Sequence, residues 1–399
     1  MQFRHNIAMD TVAHSRTAVF LSESRRRGAS PPPSPRLANF AHGFFDLYGG
    51  RPYWKRYALS LAFAIKNEPV YSFSGERLTG MLYQTSGFTE DQKSLEEKLG
   101  PYRVGSEFER LAKEAGVDLP FEPYSAPGHV GWRWDRILAD GIDGLLHDLR
   151  IRLAADRNDK SNQLYEGAII LWEAVLAWNN RHIDTLRQRG PDLGGLIEIC
   201  ERVPRFAARS FHEAVQGFYF QYLAVMFENP YGGNGPGRLD YFLWPYLERD
   251  LADGAISMAD ARNLVDELFI RLHERIQDVD GWVEAITVGG TQPDGSSSLN
   301  PLSYMMIESI MDLNQTHPSV YTRLSRNDPD EFIDLNVAYL LGGANRAQIY
   351  NDEACRGAVV KSGTSPEDAG MFMAGGCMEM SCQGMASDMN FTGTINVAK

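Results

Sequence analysis

Apolar residues recur at helical spacing through most of the chain, and a few short stretches alternate instead. In QLYEGAIILWEAVLAWNNRHIDTLRQR (163–189) they fall three to four positions apart, the signature of an amphipathic helix. Ser210, with Glu213 three positions on, opens the next helix as a capping box. Its sequence, SFHEAVQGFYFQYLAVMFEN, is apolar on nearly every side, which predicts a core helix. LDYFLWPYLERDLADG and SMADARNLVDELFIRLHERI are two further amphipathic patterns. Asn300 and Pro301 supply a cap and a first-turn proline for PLSYMMIESIMDL, and DPDEFIDLNVAYLLGG continues the series. Three stretches break the period: WVEAITVGG reads as a strand running into a turn, HPSVYTRLS (317–325) alternates and is β-branched, and RAQIYND is a short strand. Ser365-Pro366, with Asp368 three residues after the cap, predicts a helix over SPEDAGMFMA that stops at Gly375-Gly376. Helices alternating with single strands predict an α/β fold.

With 399 residues and 43% hydrophobic content, the chain has room for two or three domains or one large α/β barrel. GASPPPSPR (28–36) is a stiff, polyproline-like connector, and neither an internal repeat nor a domain linker follows it. Thirty-nine Lys and Arg against 52 Asp and Glu give a formal charge of −13, which argues against an extended nucleic-acid surface. Four cysteines (Cys200, Cys355, Cys377, Cys382) are too few for a disulfide scaffold, and neither a C-x-x-C pair nor a histidine cluster completes a zinc set. MQFRHNIAMDTVAHSR lacks the apolar core of a signal peptide, and no run approaches the roughly 20 apolar residues of a membrane span. The expectation is a cytoplasmic protein without a membrane or nucleic-acid partner.

The candidate chemistry sits in GGCMEM (375–380). Two readings of it are open. Cys377 is an inert buried thiol beside a solvated glutamate, or Cys377 and Glu379, two positions apart on an extended loop, face one substrate together. A cysteine nucleophile needs a histidine base, yet no histidine follows Cys377 and His317 is the nearest before it. NPYGGNGPGR has the glycines of a phosphate loop without its spacing, and reads as a turn between helices. His129, in APGHVGWRWDRIL, is either a substrate contact or a structural histidine. His212-Glu213 starts a zinc-like motif that lacks its second histidine, and Cys382 reads as structural.

The order of segments adds a resemblance. The run Ile197–Leu251, PSVYTRLSRNDPDEFIDLNVAYLLGGANRAQIYNDEA and SPEDAGMFMAGGCMEMS are similar to the glycyl radical enzymes, the pyruvate formate-lyase-like superfamily. Weaker likeness reaches back through APGHVGWRWDRIL to RTAVFLSES. The resemblance implies that 1–399 is one pyruvate formate-lyase-like domain, the N-terminal part of a ten-stranded α/β barrel, cut before the C-terminal glycine radical domain. It assigns Cys377 as the residue that carries a thiyl radical and abstracts hydrogen from substrate carbon. The S–H bond suits this because its strength is comparable to that of an activated C–H bond. Glu379 matches the acid/base glutamate of the C-x-E branch: diol and glycerol dehydratases, choline trimethylamine-lyase, hydroxyproline dehydratase, isethionate sulfite-lyase and arylacetate decarboxylases. Pyruvate formate-lyases carry a second cysteine where this chain has Met378.

The implied activity is therefore a lyase cleaving C–O, C–N, C–S or C–C bonds of a small molecule. Two departures bear on the substrate. The His-Ser pair of diol dehydratases is replaced by Gly232 and Gly233, and their acidic hydroxyl-binding residue by Phe391. A substrate larger or more apolar than a small diol fits these positions better. The chain ends at FTGTINVAK, and none of its glycines matches the R-V-x-G-Y-like radical loop. The resemblance thus implies an incomplete machine with no cofactor bound directly. Its glycyl radical would be installed on another segment by a radical S-adenosylmethionine activase bearing an iron–sulfur cluster, and the complete enzyme would be a homodimer of anaerobic metabolism. Two alternatives stay open: a catalytically silent barrel half or binding subunit that needs a separate glycine-loop partner, and a cysteine hydrolase.

Overall fold

The helix expected in the core, Phe211–Val225, is buried at Phe211 and at every residue from Glu213 to Leu223. The Ser210 hydroxyl accepts from the Glu213 N–H at 3.2 Å. The Glu213 carboxylate turns the other way, to the Arg209 N–H at 2.6 Å and its guanidinium at 2.7 Å. This computed structural model describes residues 11–83, 88–99, 110, 114, 121–123, 131–156, 158–190, 193–227, 235–276, 284–343, 347–376, 379–385 and 393–395. Trp134–Ala155, Leu239–Ala252, Met258–Ile276 and Pro301–Leu313 share one continuous apolar core with the central helix. The long pattern at 163–189 forms as Asp159–Arg189, starting one turn early because the Asn158 side chain caps the Lys160 and Ser161 N–H groups. Asn300 and Ser303 form a reciprocal capping box, so the predicted start of Pro301–Leu313 holds.

Seven strands are described: β1 (Phe121–Pro123), β2 (Ala285–Gly289), β3 (Ser319–Leu324), β4 (Gln348–Asn351), β5 (Phe372–Ala374), β6 (Met380–Cys382) and β7 (Gly393–Ile395). β2, β3 and β4 run parallel in that order, with Thr287 opposite Tyr321 and Tyr321 opposite Gln348. Parallel bridges Gly237–Ile286 and Gly131–Gly235 extend the order, so five segments lie side by side. β1 pairs with β7, and β5 with β6, as antiparallel couples. Every residue of β2 and the first five of β3 are buried, as expected of a parallel sheet covered on both faces. Ile286, Val288 and Val320 face the helical core. The alternate residues, Ala285 and Tyr321, face the β5–β6 hairpin at Ala374. The helix-rich α/β expectation holds.

Two local expectations fail. The helix predicted over SPEDAGMFMA lasts only from Pro366 to Ala369, after which Phe372–Ala374 is strand paired with Met380–Cys382. Tertiary bonds take over the main chain there. The Gly370 carbonyl accepts from both the Arg238 and Arg323 guanidinium groups, at 2.9 and 3.0 Å. The glycine-rich stretch is also more than a turn between helices, because Gly237, at φ +68°, bonds through its N–H to the Ala285 carbonyl and through its carbonyl to the Thr287 N–H. Gly235 lies so close to the hairpin that a Cβ there would meet the Met373 Cε at 2.6 Å and the Gly375 oxygen at 2.7 Å. The glycines admit the hairpin.

Candidate active site

The stretch that carries the candidate chemistry joins β5 to β6, and its described residues are Gly375, Gly376 and Glu379. Its local bonds close it: the Gly375 N–H donates to the Glu379 carbonyl at 3.0 Å, and the Gly376 N–H to the Glu379 Oε1 at 2.6 Å. The sheet holds the same turn from outside. On β2 the Thr287 Oγ1 accepts from the Ala374 N–H at 3.2 Å, and on β3 the Tyr321 hydroxyl donates to the Gly376 carbonyl at 3.1 Å.

The hairpin's root is anchored by buried polar groups. Arg323 pairs with Asp352 at 2.6 Å, donates to the Phe372 carbonyl at 2.9 Å and lies 3.9 Å over the Phe372 ring. Arg238 donates to Ser298 Oγ at 2.6 Å, and its main-chain N–H meets Gln383 Oε1 at 2.9 Å. Burial, then the like charge of Arg323, pulls the Arg238 guanidinium below its ordinary value. Burial likewise lifts the Asp240 carboxyl, which accepts from the Gly289 N–H and the Ser303 hydroxyl. Gln383 reaches the Trp132 and Pro236 carbonyls, and the Gly384 N–H meets the Gly131 carbonyl at 2.8 Å. These groups fix where the turn sits relative to the sheet.

Of the residues expected to act, Glu379 is placed in this turn, partly buried. Cys377, His129, Gly233 and Phe391 lie outside the described residues. Described neighbours of two of them converge on the hairpin: Gly131 at Gln383 and Gly384, and Gly235 at Met373 and Gly375. The remaining cysteines are not poised as nucleophiles. Burial pushes the Cys200 thiol well up and the half-buried Cys355 thiol up as well, and Cys382 is buried on β6 opposite Phe372. His182 and His212 bond to the Trp178 and Arg77 main-chain oxygens, which accounts for the His212-Glu213 pair as structure.

Sequence reasoning missed Tyr321, Thr287, Arg238 and Arg323. The alternation of Ser319, Tyr321 and Arg323 along β3 was the available signal, since period two puts them on one face. Among the described residues, a groove of about 560 Å³ meets the segment after β6 at Gly384 and Met385, with Trp132, Trp172, Arg133 and Arg136 in its wall. Among the described residues no set of three or more His, Cys, Asp and Glu side chains could hold a metal ion, and no helix is long and apolar enough to cross a membrane.

Residues 86–399 match the family described as pyruvate formate lyase-like. The trans-4-hydroxy-L-proline dehydratase of Clostridioides difficile is 27% identical over 316 residues, covering 72% of this chain and 40% of the dehydratase. The isethionate sulfite-lyase of Bilophila wadsworthia is 25% identical over 338 residues, covering 73% of this chain and 41% of the lyase. A solved glycyl radical enzyme from Archaeoglobus fulgidus matches in fold with a TM-score of 0.81 at 20% identity, over 94% of this chain and 57% of that one. The chain thus spans about two fifths of the length of these curated relatives.

Proposed function

Because the chain belongs to the pyruvate formate lyase-like family, we propose that it is the N-terminal portion of a glycyl radical lyase of the C-x-E branch. The observation that carries this reading is the clamped turn: Glu379 closes the connection of a hairpin fixed to the buried face of a parallel sheet by Thr287 and Tyr321. A hydrogen-atom donor must meet its substrate carbon reproducibly, and a turn held on rigid strands supplies that. A glycyl radical, installed in such enzymes by a radical S-adenosylmethionine activase, supplies the unpaired electron. This chain's part is to present the Cys377 thiol for hydrogen transfer and to use the Glu379 carboxyl as proton acceptor and donor at the departing group. The turn fits that task, since one carboxylate oxygen is held by the Gly376 N–H at 2.6 Å and the group is thereby aimed.

The relatives named for hydroxyproline dehydration and isethionate cleavage support an elimination, with loss of a leaving group from the carbon beside the radical centre. Gly233 and Phe391 favour a substrate larger or more apolar than a small diol, and His129 is a candidate contact to it. The homodimer, the activase and a cytoplasmic, anaerobic setting belong to the same proposal, as does reading 1–399 as one domain completed by a glycine-bearing segment.

The test uses the complete enzyme, activated anaerobically, with electron paramagnetic resonance and product analysis side by side. Cys377→Ser should leave the organic radical signal intact and abolish turnover. Substantial turnover in that variant would sink the thiyl assignment.

A further inference from the structure

Four hydrogen-bonding groups on three consecutive hairpin residues meet partners in a regular way. The Ala374 N–H goes out to Thr287 on β2, the Gly375 N–H goes across the turn to Glu379, and residue Gly376 is held at both its N–H and its carbonyl. Its N–H is held by Glu379 from within the hairpin and its carbonyl by Tyr321 from β3. Thr287 and Tyr321 are register partners on adjacent strands, so one row of the sheet meets hairpin positions 374 and 376. Strands about 4.8 Å apart and residues rising about 3.3 Å each make that match geometrically natural. Tyr321 is 1% exposed, so its hydroxyl is committed to this contact away from bulk water. The neighbouring Tyr350, 6.2 Å away between ring centroids, directs its hydroxyl to Gln348 in its own strand instead.

We propose that Tyr321 is a positioning residue for the cysteine-bearing turn: it holds the Gly376 carbonyl, in the peptide directly before Cys377, and, through the N–H of the same residue, it helps place the carboxylate of Glu379. This deepens the lyase reading and rests on it for its catalytic consequence, while the structural claim stands without it. Tyr321→Phe removes the hydroxyl and keeps the ring, leaving a buried carbonyl without its donor. A change in the order of Glu379 is expected through Gly376, whose N–H its carboxylate holds.

The experiment is hydrogen–deuterium exchange by mass spectrometry on the peptide spanning 371–385, with iodoacetamide labelling of Cys377 timed against Cys355 in the same sample. Tyr321→Phe should speed exchange at 375–379 roughly fivefold, the effect of one net hydrogen bond. It should raise Cys377 labelling relative to Cys355, with the melting temperature nearly unchanged. Tyr350→Phe is the control and should leave both readouts at the native level. Should the Phe variant fail to fold, Tyr321→Leu takes its place with the same expectation. Native exchange and labelling in the Tyr321 variant, or an equal change in the control, would overturn the proposal. In the complete enzyme kcat should fall roughly tenfold or more with KM held, since an ångström of misplacement is that costly; an unchanged kcat would overturn the catalytic consequence. If the native complete enzyme has no lyase turnover, exchange and labelling still decide the role of Tyr321, so the two failures are read separately.

Discussion

One methyl group at Gly235 tests whether the glycine-rich stretch exists to admit the hairpin. A Cβ there would lie 2.6 Å from the Met373 Cε, 2.7 Å from the Gly375 carbonyl oxygen and 3.3 Å from the Ala374 carbonyl oxygen. The methionine end can swing aside. The Gly375 oxygen cannot, because it belongs to a residue whose N–H is bonded to Glu379 and whose neighbour is bonded to Tyr321. Overpacking of this kind costs about 1–3 kcal/mol, or about 5- to 150-fold in local opening. A chain of this length unfolds with an entropy of about 0.8 kcal/mol per kelvin, so the melting temperature should drop by only about 1–4 K.

Exchange of the 371–385 peptide is therefore the sensitive assay, and Gly235→Ala should accelerate it within that 5- to 150-fold range. Adding Met373→Ala relieves the side-chain clash and leaves the main-chain one, so rescue should be partial. Native exchange in Gly235→Ala would refute the reasoning. Complete rescue by Met373→Ala would also refute it, since the glycine would then make room for a side chain rather than for the turn.

The proposed function gives Glu379 a proton-transfer duty beside its bond to the Gly376 N–H, and two substitutions divide them. Glu379→Gln keeps an acceptor for the Gly376 N–H, so exchange protection should stay within about twofold while turnover of the complete enzyme collapses; preserved turnover would remove the proton-transfer role. Glu379→Ala removes the acceptor and should loosen the turn by about 0.5–1.5 kcal/mol, read as exchange at 375–379. Away from the site, Glu68 is buried with only its Oε2 bonded, to the Ser34 hydroxyl at 2.9 Å, and burial raises its pKa from 4.5 to about 7. Between those values the folded state binds the extra proton, so this carboxyl's contribution to stability is greatest below about pH 4.5 and is lost as pH rises through about 7, by roughly 3 kcal/mol at most. Glu68→Gln should flatten that fall in denaturant titrations at pH 5 and pH 8, and parallel losses in both proteins would refute it.

The parts of the fold that were legible from sequence are those whose reasons are local. Asp159–Arg189 announces itself by period and Phe211–Val225 by its cap and apolar run, and Ala285–Gly289, Ser319–Leu324 and Gln348–Asn351 read as single strands between helices. The family resemblance located Glu379 in sequence, but it gave no hint of the hydroxyl that holds its turn. Tyr321 stands 55 residues from Gly376, and no pattern in either stretch names the other. Thr287 and Ala374 are 87 apart, with the same silence.

The misread helix shows why such partners matter. SPEDAGMFMA carries a true N-cap, since the Ser365 hydroxyl accepts from the Asp368 N–H at 3.0 Å. Had the helix continued, the Gly370 carbonyl would have accepted from the Ala374 N–H four residues on. Both groups are instead satisfied elsewhere: the carbonyl by the Arg238 and Arg323 guanidinium groups, the N–H by Thr287. Arg323 is balanced at that point by Asp352. A buried cation is costly unless it is paired and fully bonded. Placing two of them on one carbonyl therefore makes the helical alternative the poorer use of the same main chain. The unwinding at Gly370 frees Phe372–Ala374 to enter the sheet's buried face as a strand, which brings the turn with Glu379 to Thr287 and Tyr321. The local signal for a helix and the tertiary signal for a hairpin compete over five residues, and the side that supplies charged donors wins.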